Sequence, residues 1–311
     1  MKIIFFGSPA TALPSLQALL NAGHNIPLVV TQTDKPAGRG KRIQSPAVKE
    51  FSESAGLPVF QTRRIRKDPG ILPILQSLKP DLQVVVAFGQ IIPPEIFNLP
   101  KQKSINIHFS LLPAYRGASP VQWAVLNGET TTGITIFLLN DRMDEGEILS
   151  QEELAVRPDE TAAALEERMA HIGADLLIRT VSEMDALLPG KPQDHSQATY
   201  APLIQKENGR VDWSKPADYI VRMLRAFMPW PSVFTFFNDR RLKLIEVVAL
   251  GQNEPASDAG KILSIDREGI RVCCGNGSTL LISELQPENK RAMSAHDFAL
   301  GTSLLPGDLF S

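Results

Sequence analysis

The chain has 311 residues and carries 32 lysines and arginines against 34 aspartates and glutamates, a formal net charge of −2. This length favours two domains, and the near-neutral balance excludes an overall basic protein, so any contact with nucleic acid must come from a local patch. No apolar run approaches the roughly 20 residues that cross a bilayer, and the adjacent pair Cys273 and Cys274 favours a reducing compartment, the cytoplasm, over a disulfide-stapled fold.

Apolar runs and helical patterns alternate along the first half of the chain. Short apolar runs that end at glycine or a turn predict buried strands, and proline at the start with glycine after the end predicts helices between them. The predicted strands cover residues 3–7, 26–31, 82–88, 105–109 and 133–139, with helices over residues 12–20, 120–127 and 159–188. This alternation predicts an α/β domain with a Rossmann-like, mostly parallel sheet.

The second half has a different pattern. A segment rich in Pro, Gln, Ser and Lys predicts a linker, and a helix over residues 216–227 follows it. Five short runs separated by tight-turn signals predict a small β-barrel of the oligonucleotide-binding (OB-like) type; they cover residues 233–237, 242–250, 260–264, 270–274 and 279–285. The predicted domains are therefore a catalytic domain over residues 1–190, a linker over 191–208 and an OB-like domain over 209–311.

The turn after the first strand argues against one common use of a Rossmann-like sheet. Residues 7–12 read Gly-Ser-Pro-Ala-Thr-Ala. They lack the glycine pair that lets a backbone approach a pyrophosphate. The sequence therefore excludes a dinucleotide site at this turn.

Three polar residues near strand ends are candidates for chemistry. Asn106 and His108 lie two apart on a predicted strand, so both side chains point to one face. Asp144 follows the next predicted strand, and if the two strands are parallel neighbours their carboxyl ends, where ligands bind in open α/β sheets, lie side by side. Taken singly, each residue is more often structural, but an amide donor, a histidine and a carboxylate together suit acyl transfer to an amine. No activated Ser or Cys nucleophile is evident, which favours direct transfer.

The loop after His108 carries a family resemblance. It runs Ser110-Leu111-Leu112-Pro113-Ala114-Tyr115-Arg116-Gly117, and Asp144-Glu145-Gly146 follows later. With Asn106 and His108, these runs resemble the folate-dependent formyltransferases, whose catalytic triad is Asn, His and Asp. The resemblance implies 10-formyltetrahydrofolate as co-substrate, without a metal, and a folate site made by the backbone of Ser110, Leu111, Leu112 and Pro113.

The resemblance also implies a role for each member of the triad. Asn106 would donate to the formyl oxygen. His108 would stabilise the tetrahedral intermediate and help to move protons. Asp144 would orient His108 and accept the amine proton. One departure from the family is Glu145, where a small residue or threonine is usual; if this carboxylate faces the site, it would oppose the ionisation of Asp144.

Within that family the resemblance is closest to the members that act on methionyl initiator tRNA. Residues 33–41 read Thr-Asp-Lys-Pro-Ala-Gly-Arg-Gly-Lys and look like the loop by which those members contact the acceptor arm. Further similar runs extend through the barrel domain, including residues 200–206, 225–231 and 290–298. The resemblance thus implies a cytoplasmic, monomeric enzyme of translation initiation whose tRNA contacts include Lys35, Arg39, Lys41 and Arg42.

Two other functions stay open at this point. One is a formyltransferase or deformylase that acts on a small molecule, such as an amino sugar or a nucleotide; the barrel domain and the basic loop argue against it. The other is an RNA-binding module with an inactive α/β domain; the intact Asn106, His108 and Asp144 argue against that.

Overall fold

The computed structural model describes residues 1–37, 42–252 and 258–311. The chain divides into two compact units. The first comprises Met1–Pro120, Thr131–Ala155 and Ala164–Pro202, and the second comprises Val121–Thr130, Val156–Ala163 and Leu203–Ser311. Residues 191–202, within the predicted linker, therefore group with the first unit. The predicted domain limits at 190 and 209 stay a prediction.

The described strands before the second unit's sheet are Lys2–Gly7 (β1), Asn25–Gln32 (β2), Lys35–Ala37 (β3), Arg42–Gln44 (β4), Val59–Thr62 (β5), Leu82–Val86 (β6), Ser104–His108 (β7), Thr131–Leu138 (β8) and Ile148–Ala155 (β9). Seven of them form one sheet in the order β5-β2-β1-β6-β7-β8-β9. The pairs from β5 to β7 are parallel, whereas β8 pairs antiparallel with both β7 and β9. Strands β3 and β4 form a separate antiparallel hairpin.

Helices accompany these strands along the chain. They are Leu13–Asn21 (α1), Ala47–Ser54 (α2), Ile71–Leu78 (α3), Pro94–Phe97 (α4), Pro120–Asn127 (α5), Ala162–Ser182 (α6) and Met184–Leu187 (α7). Short 3-10 helices cover Ala10–Ala12, Ile65–Lys67 and His195–Gln197. Strands β1 and β6 are almost wholly buried, as expected for central strands covered on both faces. Ile71 and Leu75 of α3 pack in one core cluster with Ile4 and Phe6 of β1.

The direction of β8 corrects one expectation. Strands β7 and β8 are neighbours, but they are antiparallel, with Ile105 opposite Leu138 and His108 opposite Thr135. The expectation that their carboxyl ends lie side by side is therefore wrong. Helix α5, which connects them, groups from Val121 onward with the second unit. Antiparallel neighbours do not need the crossover connection that parallel strands require.

The second unit contains an antiparallel sheet. Its elements are Ala217–Phe227 (α8), Phe234–Phe237 (β10), Arg240–Gln252 (β11), Ile262–Asp266 (β12), Gly269–Cys273 (β13), Ser278–Pro287 (β14), Met293–Ser294 (β15) and Ala295–Thr302 (α9), with 3-10 helices at Lys206–Gly209 and Gly275–Gly277. The strand order is β10-β11-β14-β13-β12, with β15 paired to β14. Ser294 caps α9 by accepting a hydrogen bond from the Asp297 N–H at 3.0 Å, as its sequence position predicts. The predicted fold class, a Rossmann-like, mostly parallel sheet followed by a small C-terminal OB-like β domain, is confirmed: the first sheet is mostly parallel, and the C-terminal domain contains an antiparallel sheet.

Candidate active site

Strand β7 carries the first two predicted catalytic residues. Asn106 lies opposite Val85 on one side and Phe137 on the other, and it is half-buried, whereas His108 is buried. The two-residue spacing places both side chains on one face of the strand. The described part of the chain offers the Asn106 amide no hydrogen-bond partner, so its N–H donors are available to a substrate oxygen.

The contacts of His108 define which ring nitrogen carries a proton. Its Nε2 lies 2.9 Å from the Tyr115 carbonyl oxygen. A carbonyl can only accept, so Nε2–H must donate. In the neutral ring the lone pair is then at Nδ1, which lies 3.9 Å from Asp144 Oδ2. A proton taken up at Nδ1 would therefore face a carboxylate charge.

Asp144 lies in the loop 139–147 between β8 and β9 and reaches His108 by a local backbone turn. Its φ is +55°, a left-handed conformation that aspartate adopts more readily than most residues. Its Oδ2 accepts a hydrogen bond from the Gly117 N–H at 2.8 Å. The structure therefore brings Asp144 to His108 through this loop and not through aligned strand ends.

The predicted folate loop is held tightly by side chains of β8 and β9. Thr135 Oγ1 donates to the Ser110 carbonyl at 2.7 Å. The same hydroxyl oxygen accepts from the Leu112 N–H at 3.0 Å. Gln151 Nε2 donates to the Leu112 carbonyl at 2.9 Å. These internal bonds fix the backbone of the loop, and the side chains of Leu111 and Pro113 are half-buried.

A buried arginine lies beside the candidate triad, and sequence reasoning missed it. Arg116 is 2 % exposed, and its Nη1 lies 3.3 Å from Glu145 Oε1. The other Glu145 oxygen lies 3.4 Å from Arg142 Nη1 and 3.7 Å from His195 Nδ1. Arg116 Nη2 lies 3.0 Å from the same His195 nitrogen, which must be the acceptor because a guanidinium only donates. The unusual Glu145 is thus a counterion for Arg116.

We expect Glu145→Thr to lower the free energy of unfolding by about 1–3 kcal/mol, because it leaves the buried Arg116 guanidinium without its carboxylate. Urea denaturation measures this change. Arg142→Ala is the matched control. It removes the other cation beside Glu145, and the side chain of Arg142 is 76 % exposed; an exposed pair contributes at most about 1 kcal/mol. Equal losses in the two variants would contradict a special role for the buried pair.

The predicted tRNA loop is only partly described. Arg39 and Lys41 lie outside the described residues, and of Arg42 only the backbone, at the start of β4, is described. Lys35 is exposed on β3, and its Nζ donates to Gln32 Oε1. A cavity of about 550 Å³ at the carboxyl ends of β1 and β2 is lined by Ser8, Gln32, Thr33, Lys35 and Gln44, among others.

Asp34, the residue directly before β3, is fixed by an ion pair and a hydrogen bond. Asp34 forms an ion pair with Lys49 at 2.9 Å and accepts from Gln61 Nε2 at 2.7 Å. The hydrogen bonds from Gln61 and from Lys49 lower the pKa of Asp34. Asp34 is therefore ionised at neutral pH and anchors the chain directly before the β3–β4 hairpin.

Among the described residues, no group of three or more His, Cys, Asp or Glu side chains could hold a metal ion. Over residues 1–37, 42–252 and 258–311, none of the helices combines the length and the apolar character that crossing a membrane requires.

Comparison with known proteins places the chain in a family. The family model described as formyl transferase matches residues 1–181, and the model of the formyl transferase C-terminal domain matches residues 203–303. The chain belongs to the formyltransferase family. The resemblance inferred from Asn106, His108 and the loops after them is confirmed, and with it the prediction of a formyl-transferring enzyme.

Named relatives cover nearly the whole chain. Methionyl-tRNA formyltransferase from Citrifermentans bemidjiense is 42 % identical over 99 % of this chain and 96 % of the relative. The enzyme of the same name from Alkaliphilus oremlandii is 39 % identical over 99 % of both chains. Among solved structures, a sugar 3N-formyl transferase with 5-N-formyl-tetrahydrofolate present has a TM-score of 0.66 at 19 % identity, covering 94 % of this chain and 99 % of its own. An N-formyltransferase from Helicobacter canadensis also has a TM-score of 0.66, at 18 % identity, covering 91 % of this chain and 98 % of its own. The solved structures share the fold of this formyltransferase.

Proposed function

We propose that this formyltransferase transfers a formyl group from 10-formyltetrahydrofolate to the α-amino group of methionyl initiator tRNA, for translation initiation in the cytoplasm. The observation that carries the proposal is the grouping of Asn106, His108 and Asp144 at one site in a chain about 40 % identical, end to end, to enzymes named for that reaction. The amino-sugar alternative has weaker support, because the sugar formyltransferases that share the fold are only 18–20 % identical.

We assign the steps of transfer to residues of this site. Asn106 donates from its free amide to the formyl oxygen, where negative charge develops as the amine nitrogen attacks the formyl carbon. His108 takes up a proton at Nδ1, the nitrogen that faces Asp144, and Asp144 stabilises the resulting cation. That proton comes from the attacking amine nitrogen. As the bond between the formyl carbon and the folate nitrogen breaks, His108 gives it to the folate nitrogen, so the site returns to its starting state.

The binding roles are proposed in the same way. The rigid loop of Ser110, Leu111, Leu112 and Pro113 fits a flat heterocycle, because it is held by Thr135 and Gln151 and does not have to be ordered on binding. The basic residues Lys35, Arg39, Lys41 and Arg42 suit the phosphates of an acceptor arm. We propose a monomer, since one chain contains every group that this mechanism uses; light scattering of the purified protein tests the oligomeric state.

A formyl-transfer assay with two acceptors tests the function. We expect the protein to formylate charged methionyl initiator tRNA with a kcat/KM at least about 100-fold above that for an amino-sugar nucleotide, because only the tRNA engages the basic loop. Uncharged tRNA is the control for binding without an acceptor amine. Preferential formylation of the amino sugar would overturn the tRNA assignment, and no transfer to either acceptor would overturn the enzyme assignment.

A further inference from the structure

A buried glutamine lies against the backbone of the loop that carries Asp144. Gln193 is 7 % exposed, and it belongs to the segment predicted as a linker. Its Nε2 donates to the Asp144 carbonyl at 2.9 Å and to the Gly146 carbonyl at 2.8 Å. Both of its N–H donors are thus used on the loop 139–147.

The orientation of this amide is determined by its other neighbour. Gln193 Oε1 accepts from Arg116 Nε at 3.2 Å and from Arg116 Nη2 at 2.7 Å. A guanidinium has no acceptor, and the two loop carbonyls have no donor. The amide therefore cannot be flipped, and it bridges the Arg116 side chain and the Asp144 backbone in one direction only.

Arg116 is itself held at its backbone by the segment around Thr199. Its N–H donates to the Thr199 carbonyl at 2.8 Å, and its carbonyl accepts from the Ala201 N–H at 2.7 Å. The next residue, Gly117, donates its N–H to Asp144 Oδ2 at 2.8 Å. Asp144 is thus held at its side chain by Gly117 and at its backbone by Gln193, and both contacts depend on the position of Arg116.

The loop needs such external bonds because its own backbone is constrained. Asp144 adopts a left-handed conformation, with φ at +55°, which a residue other than glycine adopts only where its surroundings favour it. At Gly146, an added Cβ would lie 1.6 Å from the Leu138 carbonyl oxygen. A loop that is turned so tightly keeps one conformation only when its surroundings determine it.

We propose that Gln193 is a positioning residue for the formyl-transfer reaction: by bridging Arg116 to the Asp144 backbone, it sets the position of the Asp144 carboxylate relative to His108. This inference rests on the proposed function, because it assumes that Asp144 takes part in the reaction. The alternative role is purely structural, in which Gln193 only satisfies the hydrogen bonds of buried Arg116.

The variant Gln193→Glu separates these roles. A glutamate still accepts from Arg116 but has no N–H for the two loop carbonyls, so the loop is released while the arginine keeps a partner. We expect kcat to fall by about 10- to 100-fold, the effect of misplacing a reacting group by about 1 Å, with KM for tRNA and for the folate donor within about twofold. Gln197→Glu is the matched control, because Gln197 is exposed and, among the described residues, its side chain donates only to Asp194. The kcat of this variant should equal that of the parent protein.

A double-mutant cycle with Asp144→Ala distinguishes the two roles, because a purely structural effect of Gln193→Glu on kcat would not depend on whether Asp144 is present. If Gln193 acts through Asp144, Gln193→Glu should lower kcat in the parent protein but cause no further loss in Asp144→Ala. Thermal unfolding checks that each variant is folded. If Gln193→Glu does not fold, Gln193→Asn enters the same cycle, since its shorter amide adds no charge and cannot span from Arg116 to both carbonyls.

The outcomes distinguish this inference from the function on which it rests. A parent-like kcat in folded Gln193→Glu, or an equal loss in both backgrounds, would overturn the positioning role. Asp144→Ala with a parent-like kcat would instead overturn the assignment of Asp144 to the reaction. A large loss in Asp144→Ala, with no further loss on adding Gln193→Glu, supports both.

Discussion

We expect Asn106→Ala, His108→Ala and Asp144→Ala each to lower kcat by about 100- to 1000-fold, the effect of removing one group that stabilises charge in the transition state. Within the described residues, Asn106 is the only amide side chain on the face of β7 that also carries His108. The His108 Nδ1 atom lies 3.9 Å from Asp144 Oδ2. Single-turnover measurements of formyl transfer, with folding checked by circular dichroism, determine the size of each loss.

Asp144→Asn sharpens this first prediction. The asparagine oxygen can still accept the Gly117 N–H, so the loop is kept while the charge beside His108 is lost. We expect its kcat to fall nearly as far as that of Asp144→Ala, because the charge stabilises the proton on His108. Asp175→Asn, the same change at an exposed position of α6, is the control. Near-parental turnover by folded His108→Ala protein would exclude the proposed triad.

We expect the double variant Arg39→Ala/Lys41→Ala to raise the KM for charged tRNA by on the order of 10-fold at low salt, and to reduce the slope of log KM against log salt by about 0.9 for each phosphate that is no longer neutralised. These two residues alternate with Gly38 and Gly40 in the sequence, directly after the hairpin strand that Asp34 anchors. Folate binding should be unchanged, because the loop of Ser110 to Pro113 is held by other residues, Thr135 and Gln151.

A charge-matched control makes this second prediction specific. Lys101→Ala/Lys103→Ala also removes two exposed lysines. These lysines precede β7, whereas the basic loop follows β2. Because β2 and β7 run in the same direction in one sheet, the two pairs lie at opposite ends of the strands. We expect the control to leave the salt dependence of tRNA binding nearly unchanged. Equal losses of folate and tRNA affinity in Arg39→Ala/Lys41→Ala would show that the basic loop is structural, and the tRNA-contact proposal would have to be abandoned.

Some elements escaped sequence analysis for identifiable reasons. Strand β9 contains Gln151, Glu152 and Glu153 and is half exposed, so no apolar run marks it. Strand β5 has only four residues. Helix α3 has Pro73 within its first turn, which the chain tolerates because the N–H groups of a first turn have no intrahelical partner.

The sequence by itself determined the features that depend on local periodicity. The buried runs of β1, β6 and β7, the position of Asn106 and His108 on one face, and the cap of α9 by Ser294 all follow from residues within a few positions of one another. Together with the loop after His108, these local patterns were sufficient to predict the fold class and the formyltransferase family.

Only the tertiary structure decided how the site is held together. The antiparallel direction of β8, the pairing of Glu145 with buried Arg116, and the bridge from Gln193 to the Asp144 backbone join residues far apart in the chain; Arg116 and Gln193 are separated by 77 positions. Periodicity says which face of an element is buried, but it does not say which distant donor meets which acceptor. That choice is made by the packing of the whole unit, because a buried guanidinium or carbonyl must find a partner wherever the fold supplies one.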